Sequence, residues 1–430
     1  MLVEVIFVLG LLFVLLVGGV WIAVALFALG WATLAVFTDT LPGALMVNTT
    51  WGAASSWSLT ALPMFIWMGE ILTRSNISQD MFKGLAPWLL RLPGRLLHCN
   101  VIGCGIFAAI CGSSAATAAT IGRMTVPELS KRGYDEKMVI GSLAGSGTLG
   151  LMIPPSIMMI VYGVTAEVSV ARLFIAGILP GLLLVLLFSG YIAIWSWLHP
   201  LATPQEDARL SLREKLSASR LLIPTVLLII AIIGAIYTGV ATPTEAAALG
   251  VAGSLLLSVL SGSMSMKVFW ESTMAAMRVS CMIGFIIAAA GFLTTAVAFI
   301  GLPTAVAQGV AGLHLSAGLL VMVLVVIFVI LGCFLDGVSM IVLTSAVLLP
   351  TVQAAGLDLI WFGIFVILVV EMAQITPPVG FNLFVLQSLT GRDMLYIARA
   401  TMPFFILLLT AVAAIWFAPW LATWLPKAML

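Results

Sequence analysis

The chain has 430 residues, of which 62% are hydrophobic and 8% charged, and its formal net charge is +1. A soluble domain carries about 25% charged residues, so the composition excludes an ordinary soluble fold and predicts a chain surrounded mainly by lipid. The near-neutral charge also argues against a nucleic-acid partner.

Long apolar stretches along the chain predict membrane-spanning helices. In chain order they cover residues 2–37, 170–198, 221–240, 246–260, 279–300 and 402–425. The first stretch has Glu4 as its only early charge and lacks a basic segment, so we interpret it as a retained span and not as a signal peptide. The five cysteines show no CxxC spacing and are expected to be buried free thiols; they are Cys99, Cys104, Cys111, Cys281 and Cys333.

An internal repeat with an offset of 223 residues organises the chain. The matched positions are Pro127 with Pro350, Gly133 with Gly356, Asp135 with Asp358, Pro154-Pro155 with Pro377-Pro378, and Pro180 with Pro403. The repeat predicts one half over residues 1–200 and a second over 221–430, joined by a charged cytoplasmic linker at 201–220. Lys and Arg flank residues 98–128 but are missing around 321–351. Because cytoplasmic loops collect basic residues, the two halves are expected to be inverted relative to each other.

Each half contains a predicted re-entrant hairpin followed by a predicted broken helix. The hairpins are expected at about 98–128 and 320–350, with tips at 111–114 and 332–337. The broken helices are expected at about 139–165 and 361–388, where the paired prolines interrupt the hydrogen bonding. The predicted fold is therefore an all-α polytopic membrane protein with two inverted repeats, re-entrant hairpins and discontinuous helices.

Tips and breaks leave backbone groups without helical partners, and carbonyl and hydroxyl oxygens are hard ligands that suit Na⁺. Each half thus offers one candidate cation site. The alternatives are a helix contact through small residues at the tip and a proline kink with no ligand role.

Charged residues inside apolar segments are costly and mark candidate functional positions. They are Glu70, Arg123, Glu128, Glu245, Asp336 and Glu371. Asp336 lies on the second tip and is expected to have a polar or ion-linked role. Arg123 has three interpretations: attraction of an anionic substrate, pairing with Glu128, or extension to the cytoplasmic surface. Glu245 follows Thr242 and Pro243 and is interpreted as part of a helix start.

The chain resembles the large permease subunits of tripartite ATP-independent periplasmic (TRAP) transporters. The resemblance rests on motifs spread over nearly the whole sequence, among them CGSSAATAATIGRMTVPELSKRGYD, GTLGLMIPPSIMMIVYGV, TPTEAAALG, LGCFLDGVSM and EMAQITPPVGFNLFV. It implies an ion-transporter fold that imports an organic acid by a Na⁺-coupled elevator motion in the bacterial inner membrane. It also implies two protein partners, a small membrane subunit and a periplasmic substrate-binding protein, and no organic cofactor.

The resemblance also implies site residues. The first Na⁺ site would use Gly112, Ser113, Ser114, Gly150 and Pro154, and the second would use Gly332, Asp336, Thr376, Pro378 and Gly380. Ser156 and Arg123 are the candidate substrate contacts. The family often has a small residue where this chain has Arg123.

Other functions are possible from the sequence. A stand-alone dicarboxylate or ion antiporter of the same fold superfamily is the main alternative. An intramembrane protease would need a base beside its serine, but the three histidines, His98, His199 and His314, lie at segment ends. A primary pump is disfavoured because the chain has no GxxxxGK[ST] motif, and a passive channel does not explain two repeated breaks. The sequence therefore predicts no catalytic residues and leaves open the substrate, Na⁺ or H⁺ as coupling ion, and the oligomeric state.

Overall fold

The computed structural model describes residues 2–204, 211–312, 317–332, 335–377 and 380–429. Within these ranges the regular structure is entirely helical, with α-helices and three short 3₁₀ turns, which confirms the all-α prediction. The first half contains α1 (Leu2–Val17), α2 (Ile22–Phe37), α3 (Pro42–Ala54), α4 (Ala61–Thr73), α5 (Ile77–Leu89), α6 (His98–Cys111), α7 (Ser114–Lys131), α8 (Glu136–Met152), α9 (Ile157–Thr165) and α10 (Val170–Leu198).

A short helix, α11 (Leu212–Ser219), joins the halves. The second half contains α12 (Ile223–Tyr237), α13 (Pro243–Leu260), α14 (Met266–Phe299), α15 (Leu302–Gly312), α16 (Ala317–Gly332), α17 (Gly337–Ala354), α18 (Leu359–Gln374), α19 (Phe381–Thr390), α20 (Met394–Phe417) and α21 (Trp420–Met429). Four of these helices, α10, α13, α14 and α20, are long and apolar enough to cross a membrane. The bent pairs α8–α9 and α11–α12 raise the number to as many as six within the described residues.

The helix boundaries repeat with the same offset of 223 residues as the sequence. Both ends of α7 map onto both ends of α17, the starts of α8 and α18 coincide, and the last residues of α2 and α5 map onto those of α13 and α15. One pair of helices breaks the correspondence, because α3 and α4 together match the single 34-residue helix α14. The reason is local: Pro63 fits the first turn of α4, where an N–H would have no partner, while its counterpart Ile286 continues a helix.

Contacts between the halves show that equivalent helices run in opposite directions. Glu136 at the start of α8 accepts hydrogen bonds from Arg392, just before α20, with a shortest N–O distance of 2.7 Å. On the other face, the Tyr162 hydroxyl at the end of α9 donates to the carbonyl of Leu359 at the start of α18 (2.8 Å). The start of α8 and the start of α18 therefore lie on opposite faces, as inverted repeats require.

The described part of the linker lies on the face that carries most of the basic residues. Arg95 donates to the carbonyl of Pro204 (3.1 Å), and the Trp88 indole of α5 donates to Ser219 of α11 (2.7 Å). Lys215 of α11 is buried and lies over the Trp88 ring. Because basic loops favour the cytoplasm, this arrangement agrees with a cytoplasmic linker, which stays a prediction; residues 205–210 lie outside the described ranges.

A capping box lies at the start of α11 and lowers the pKa of a carboxyl group in the linker. The Ser211 hydroxyl accepts from the Glu214 amide (3.3 Å), and the Glu214 carboxylate accepts from the Ser211 amide (2.7 Å) and hydroxyl (2.9 Å). These hydrogen bonds to the ionised carboxylate lower the pKa of Glu214. The interpretation of Glu245 is also confirmed, since Thr242, Pro243 and Glu245 form an equivalent capping box at the start of α13.

The cysteine prediction is only partly right. Cys99, Cys104 and Cys111 are buried free thiols. Cys281 is free but exposed on α14, because it lies on a helix face that the core of the chain does not cover. Cys333 lies outside the described residues.

Candidate functional site

The first predicted tip is a sharp turn between two helices. Gly112 ends α6 with φ +60°, a left-handed conformation that glycine adopts without steric cost. The Ser113 hydroxyl then accepts from the Ala116 amide at 3.5 Å and caps α7, while the Ser113 carbonyl accepts from both the amide and the hydroxyl of Thr117. The hairpin therefore forms as the sequence predicts, over α6 and α7.

The first tip is in direct contact with the first helix break. A Cβ added to Gly150 would lie 2.6 Å from the Ser113 carbonyl oxygen and 2.9 Å from the Ser114 amide nitrogen, so only glycine permits this approach. The Gly112 carbonyl accepts from the amide of Ile157 (3.3 Å), the first residue of α9. The structure thus brings together Gly112, Ser113, Ser114 and Gly150, four of the five residues predicted for the first cation site.

The break itself separates α8 from α9 with a bend of 42°. Pro154, the fifth predicted residue, lies in this segment and is buried; prolines carry no N–H to continue the helix. Ser156 is fully buried, its hydroxyl donates to the Leu151 carbonyl, and it accepts from the Met159 amide at 3.4 Å. Ser156 is therefore the N-cap of α9, and its contact with substrate stays a prediction.

In the second half, Asp336 has the position of Ser113 and also caps the second hairpin helix. Its carboxylate accepts from the amides of Val338 (3.0 Å) and Ser339 (3.3 Å) and from the Ser339 hydroxyl. These bonds give Asp336 a local structural role in α17. The carboxylate oxygens that form these bonds are therefore less available as ligands for a cation.

The second break also folds closely on itself and on the second hairpin. The Gly380 amide donates to the Thr376 carbonyl (3.0 Å), and the Thr376 hydroxyl donates to the Met372 carbonyl (2.7 Å). Gly332 at the end of α16 is so close to α18 that an added Cβ would lie 2.1 Å from the Ala373 Cβ. Pro378, the remaining predicted ligand, lies outside the described residues.

Each hairpin also contacts the broken helix of the opposite half. α7 packs against α19, and α17 packs against α9. In the first contact the Ser114 hydroxyl donates to the Asn382 carbonyl oxygen at 2.8 Å; in the second a Cβ on Gly337 would lie 2.6 Å from the Met158 methyl. Sequence reasoning missed Asn382, although an amide side chain at the start of the apolar segment after the second break was a signal for it.

The structure corrects one interpretation of Arg123. Glu128 forms its ion pair with Arg132 (2.6 Å) and not with Arg123. Arg123 is exposed, and its Nε donates to the Ala119 carbonyl (3.2 Å); within the described residues it has no ion pair. It lies nine residues beyond Ser114, about 14 Å along the helix, so it is not at the tip.

Glu371 is the fully buried acid among the described residues. It lies on α18, and its counterpart at the offset of 223 is Thr148 on α8, whose side chain lies close to it. The Thr148 hydroxyl donates to the Gly145 carbonyl (2.7 Å), and within the described residues neither carboxyl oxygen has a partner with hydrogen-bond geometry. Glu70, by contrast, has a partner, because it pairs with Arg74 at 3.2 Å.

A large apolar cavity of about 1710 Å³ lies between α1, α2, α14 and the second hairpin. Its charged lining residues within the described part of the chain are Arg278 and Asp336. The second tip therefore faces an open space, whereas the first tip is packed against the break in its own half.

Comparison with known proteins identifies the family. The profile described as tripartite ATP-independent periplasmic transporter, DctM component, matches residues 9–421. A C4-dicarboxylate TRAP transporter large permease of Pseudomonas aeruginosa is 33% identical over 377 residues, 86% of each chain. An ectoine/5-hydroxyectoine TRAP transporter large permease of Ruegeria pomeroyi is 31% identical over 396 residues, 91% of each chain.

An isethionate TRAP transporter permease protein of Oleidesulfovibrio alaskensis is 30% identical over 94% of this chain and 63% of its own length. Among solved structures, the Alcanivorax borkumensis YdaH transporter aligns with a TM-score of 0.62 over 97% of this chain and 99% of its own, at 12% identity, which supports a shared fold. The chain is a multi-pass membrane protein and belongs to the DctM family of TRAP transporter large permeases.

Proposed function

We propose that this chain is the inner-membrane permease of a transporter that couples uptake of a small organic acid to the entry of Na⁺. Relatives are named as permeases for C4-dicarboxylate, isethionate, ectoine and 2,3-diketo-L-gulonate. The substrate is delivered by a periplasmic binding protein, and a small membrane subunit completes the complex.

The observation that carries this proposal is the close approach of tip and break in each half. In the first half the Ser113 carbonyl lies against Gly150, and in the second Gly332 lies against Ala373. Both arrangements bring the end of a hairpin helix against a broken helix in the protein interior, where irregular backbone in a membrane protein is tolerated. Carbonyl oxygens there are suited to a hard monovalent cation.

Alternating access occurs by an elevator motion in which the two hairpins and the two broken helices move as one body. The cross-contacts α7–α19 and α9–α17 support this, because they tie each hairpin to the broken helix of the other half. The remaining helices, including α2, α3 and α14, pack on one another and form the static part.

Reconstitution tests the proposal. The permease and its small subunit are placed in proteoliposomes with and without the binding protein, and uptake is measured with an inward Na⁺ gradient, with choline in place of Na⁺, and with a pH gradient alone. We expect uptake only with the binding protein and Na⁺ together. Uptake by the permease alone would favour a stand-alone antiporter, and uptake that follows only the pH gradient would replace Na⁺ by H⁺.

A further inference from the structure

We propose that the amide nitrogen of Asn382, held between the N-terminal ends of α7 and α19, is a donor that binds the carboxylate or sulfonate of the transported anion. This inference rests on the proposed function only in that the chain transports an organic anion. It does not depend on which cation is coupled.

The first support is an unsatisfied amide in the protein interior. Asn382 is fully buried. Its carbonyl oxygen accepts from the Ser114 hydroxyl at 2.8 Å, but within the described residues its Nδ2, which carries two hydrogens, has no partner. A buried donor without a partner costs about 1–3 kcal/mol, so this nitrogen is expected to meet an acceptor in some state of the transporter.

The second support is the meeting of two helix starts at this amide. Ser114 is the first residue of α7, and Asn382 is the second residue of α19. The first amides of a helix have no partner inside the helix, and the macrodipole makes this end positive. The hydrogen bond between Ser114 and Asn382 therefore joins two positive helix ends, which together favour an anion.

A glycine on a third helix lets α7 pack closely beside the amide. A Cβ on Gly147 of α8 would lie 2.8 Å from the Ala118 Cβ and 3.6 Å from Asn382 Nδ2. Gly147 thus lets α7 approach α8 closely while the amide nitrogen stays beside them. Because Asn382 is fully buried, an anion reaches its amide nitrogen only through a local opening at the starts of α7 and α19, within the body that these helices share.

The hydrogen bonding of the amide favours an anion over a cation. The amide oxygen already uses one of its two lone pairs to accept the Ser114 hydroxyl, whereas the amide nitrogen has no acceptor within the described residues. The free half of the amide is the donor half, and only an acceptor such as a carboxylate oxygen satisfies it. In the second half, a Cβ on Gly337 would lie 2.6 Å from the Met158 methyl and 3.2 Å from the Gln374 side-chain amide nitrogen. Gln374 is the last residue of α18, so this amide does not lie between two helix starts, as the Asn382 amide does.

The test measures anion binding to the purified complex of the permease and its small subunit. Thermal unfolding is followed in sodium succinate, sodium isethionate or sodium acetate, each compared with sodium chloride at equal Na⁺, for the unmutated chain and for Asn382→Asp. The substitution keeps the shape, removes the donor and adds repulsion. We expect the anion concentration at half-maximal stabilisation to rise at least about tenfold. The Na⁺ midpoint, titrated against choline without added anion, is expected not to rise, because a carboxylate beside Ser114 attracts a cation and does not repel it.

Asn100→Asp is the matched control. Asn100 is also fully buried, but its Nδ2 donates to the Val139 carbonyl (3.2 Å) and the Ser142 hydroxyl (2.8 Å). This variant is expected to lose stability and keep its anion midpoint. If Asn382→Asp does not fold, Asn382→Ala removes the donor without a buried charge and is read in the same way.

Three results would overturn the proposal. One is an unchanged anion midpoint in the folded Asn382 variants, and another is a shift of the Na⁺ midpoint in place of the anion midpoint, which would make Asn382 a cation ligand. The third is an unmutated complex that none of the three anions stabilises more than chloride. Failure of Na⁺ coupling alone would appear differently, as identical anion midpoints in Na⁺ and choline.

Discussion

Gly150→Ala is the sharpest single perturbation of the first candidate cation site. The added methyl would lie 2.6 Å from the Ser113 carbonyl oxygen, 2.7 Å from its carbon and 2.9 Å from the Ser114 amide nitrogen. All three are backbone atoms, so no side chain can rotate away. The substitution therefore forces the tip and the break apart.

The size of the effect follows from these distances. An ordinary contact begins at 3.4 Å, so the tip must retreat by about 0.8 Å. That is about a third of a typical distance of 2.3–2.6 Å between a hard cation and its oxygen ligands, as for Ca²⁺. Overpacking of this kind costs about 1–3 kcal/mol, which corresponds to a loss of about 5- to 150-fold in cation affinity if the strain is released by opening the site.

The assay is the Na⁺ concentration for half-maximal uptake in proteoliposomes, with folding checked by size-exclusion chromatography. Gly103→Ala is the control, because Gly103 lies on α6 of the first hairpin and its added Cβ would be 3.7 Å from the flexible end of Ile121. Both substitutions replace glycine by alanine in a helix, so both raise the intrinsic helix propensity by about 1 kcal/mol. Equal Na⁺ midpoints for the two folded variants would refute the assignment of this tip and break to a cation site.

Three further predictions use other parts of the molecule. Single cysteines at Ser130 and Gln353, both exposed, should react with an impermeant maleimide from opposite sides of the membrane in a background without native cysteines; reaction from one side would contradict the inversion. Glu371→Met replaces a buried carboxyl that has no hydrogen-bond partner within the described residues. Thermal denaturation of the purified protein should therefore show a free energy of unfolding raised by about 1–3 kcal/mol. A comparable fall would indicate that the carboxyl is paired. The lowered pKa of Glu214 means that its capping bonds are fully formed above the unfolded value of about 4.3 and are lost as the pH falls through the lower folded value. The protection of the α11 amides, which is their exchange rate relative to the intrinsic rate at the same pH, should therefore fall in acid. Ser211→Ala should show low protection already at neutral pH, and protection that does not change with pH would argue against the box.

The sequence predicted the features that depend on local chemistry. The paired prolines located both breaks, and the glycines at 112, 332 and 337 located the two hairpin tips, because proline and glycine act on their own backbone. The contact of Ser114 with Asn382 spans 268 residues and depends on how one half packs on the other, which no local pattern records. Arg123 is a different case, because it lies five residues before Glu128, whereas Arg132 lies four residues beyond Glu128. The second spacing brings two side chains together on a helix, and Arg132 forms the pair.

Asp336 is another residue whose contacts could not be predicted from the sequence. An acid on a membrane tip was a natural candidate for ion binding, but the same carboxylate is also a good N-cap, and only the structure reveals the hydrogen bonds to Val338 and Ser339. The equivalence of Ser113 and Asp336 as helix caps explains why two different residue types occupy matched positions.

The continuous helix α14 has a consequence for the transport cycle. Its 34 residues extend about 51 Å, longer than a hydrocarbon layer of about 30 Å, so the helix must lean or project into the aqueous phase. The first half covers the same length with α3 and α4, which are separated by residues 55–60, including a 3₁₀ turn at Trp57–Thr60. The α3–α4 segment of the first half can therefore bend, whereas α14 in the second half is rigid. In an ideally symmetric protein, the inversion would make the two end states of the transport cycle equivalent. Here the two end states are expected to differ in shape and in the energy needed to reach them.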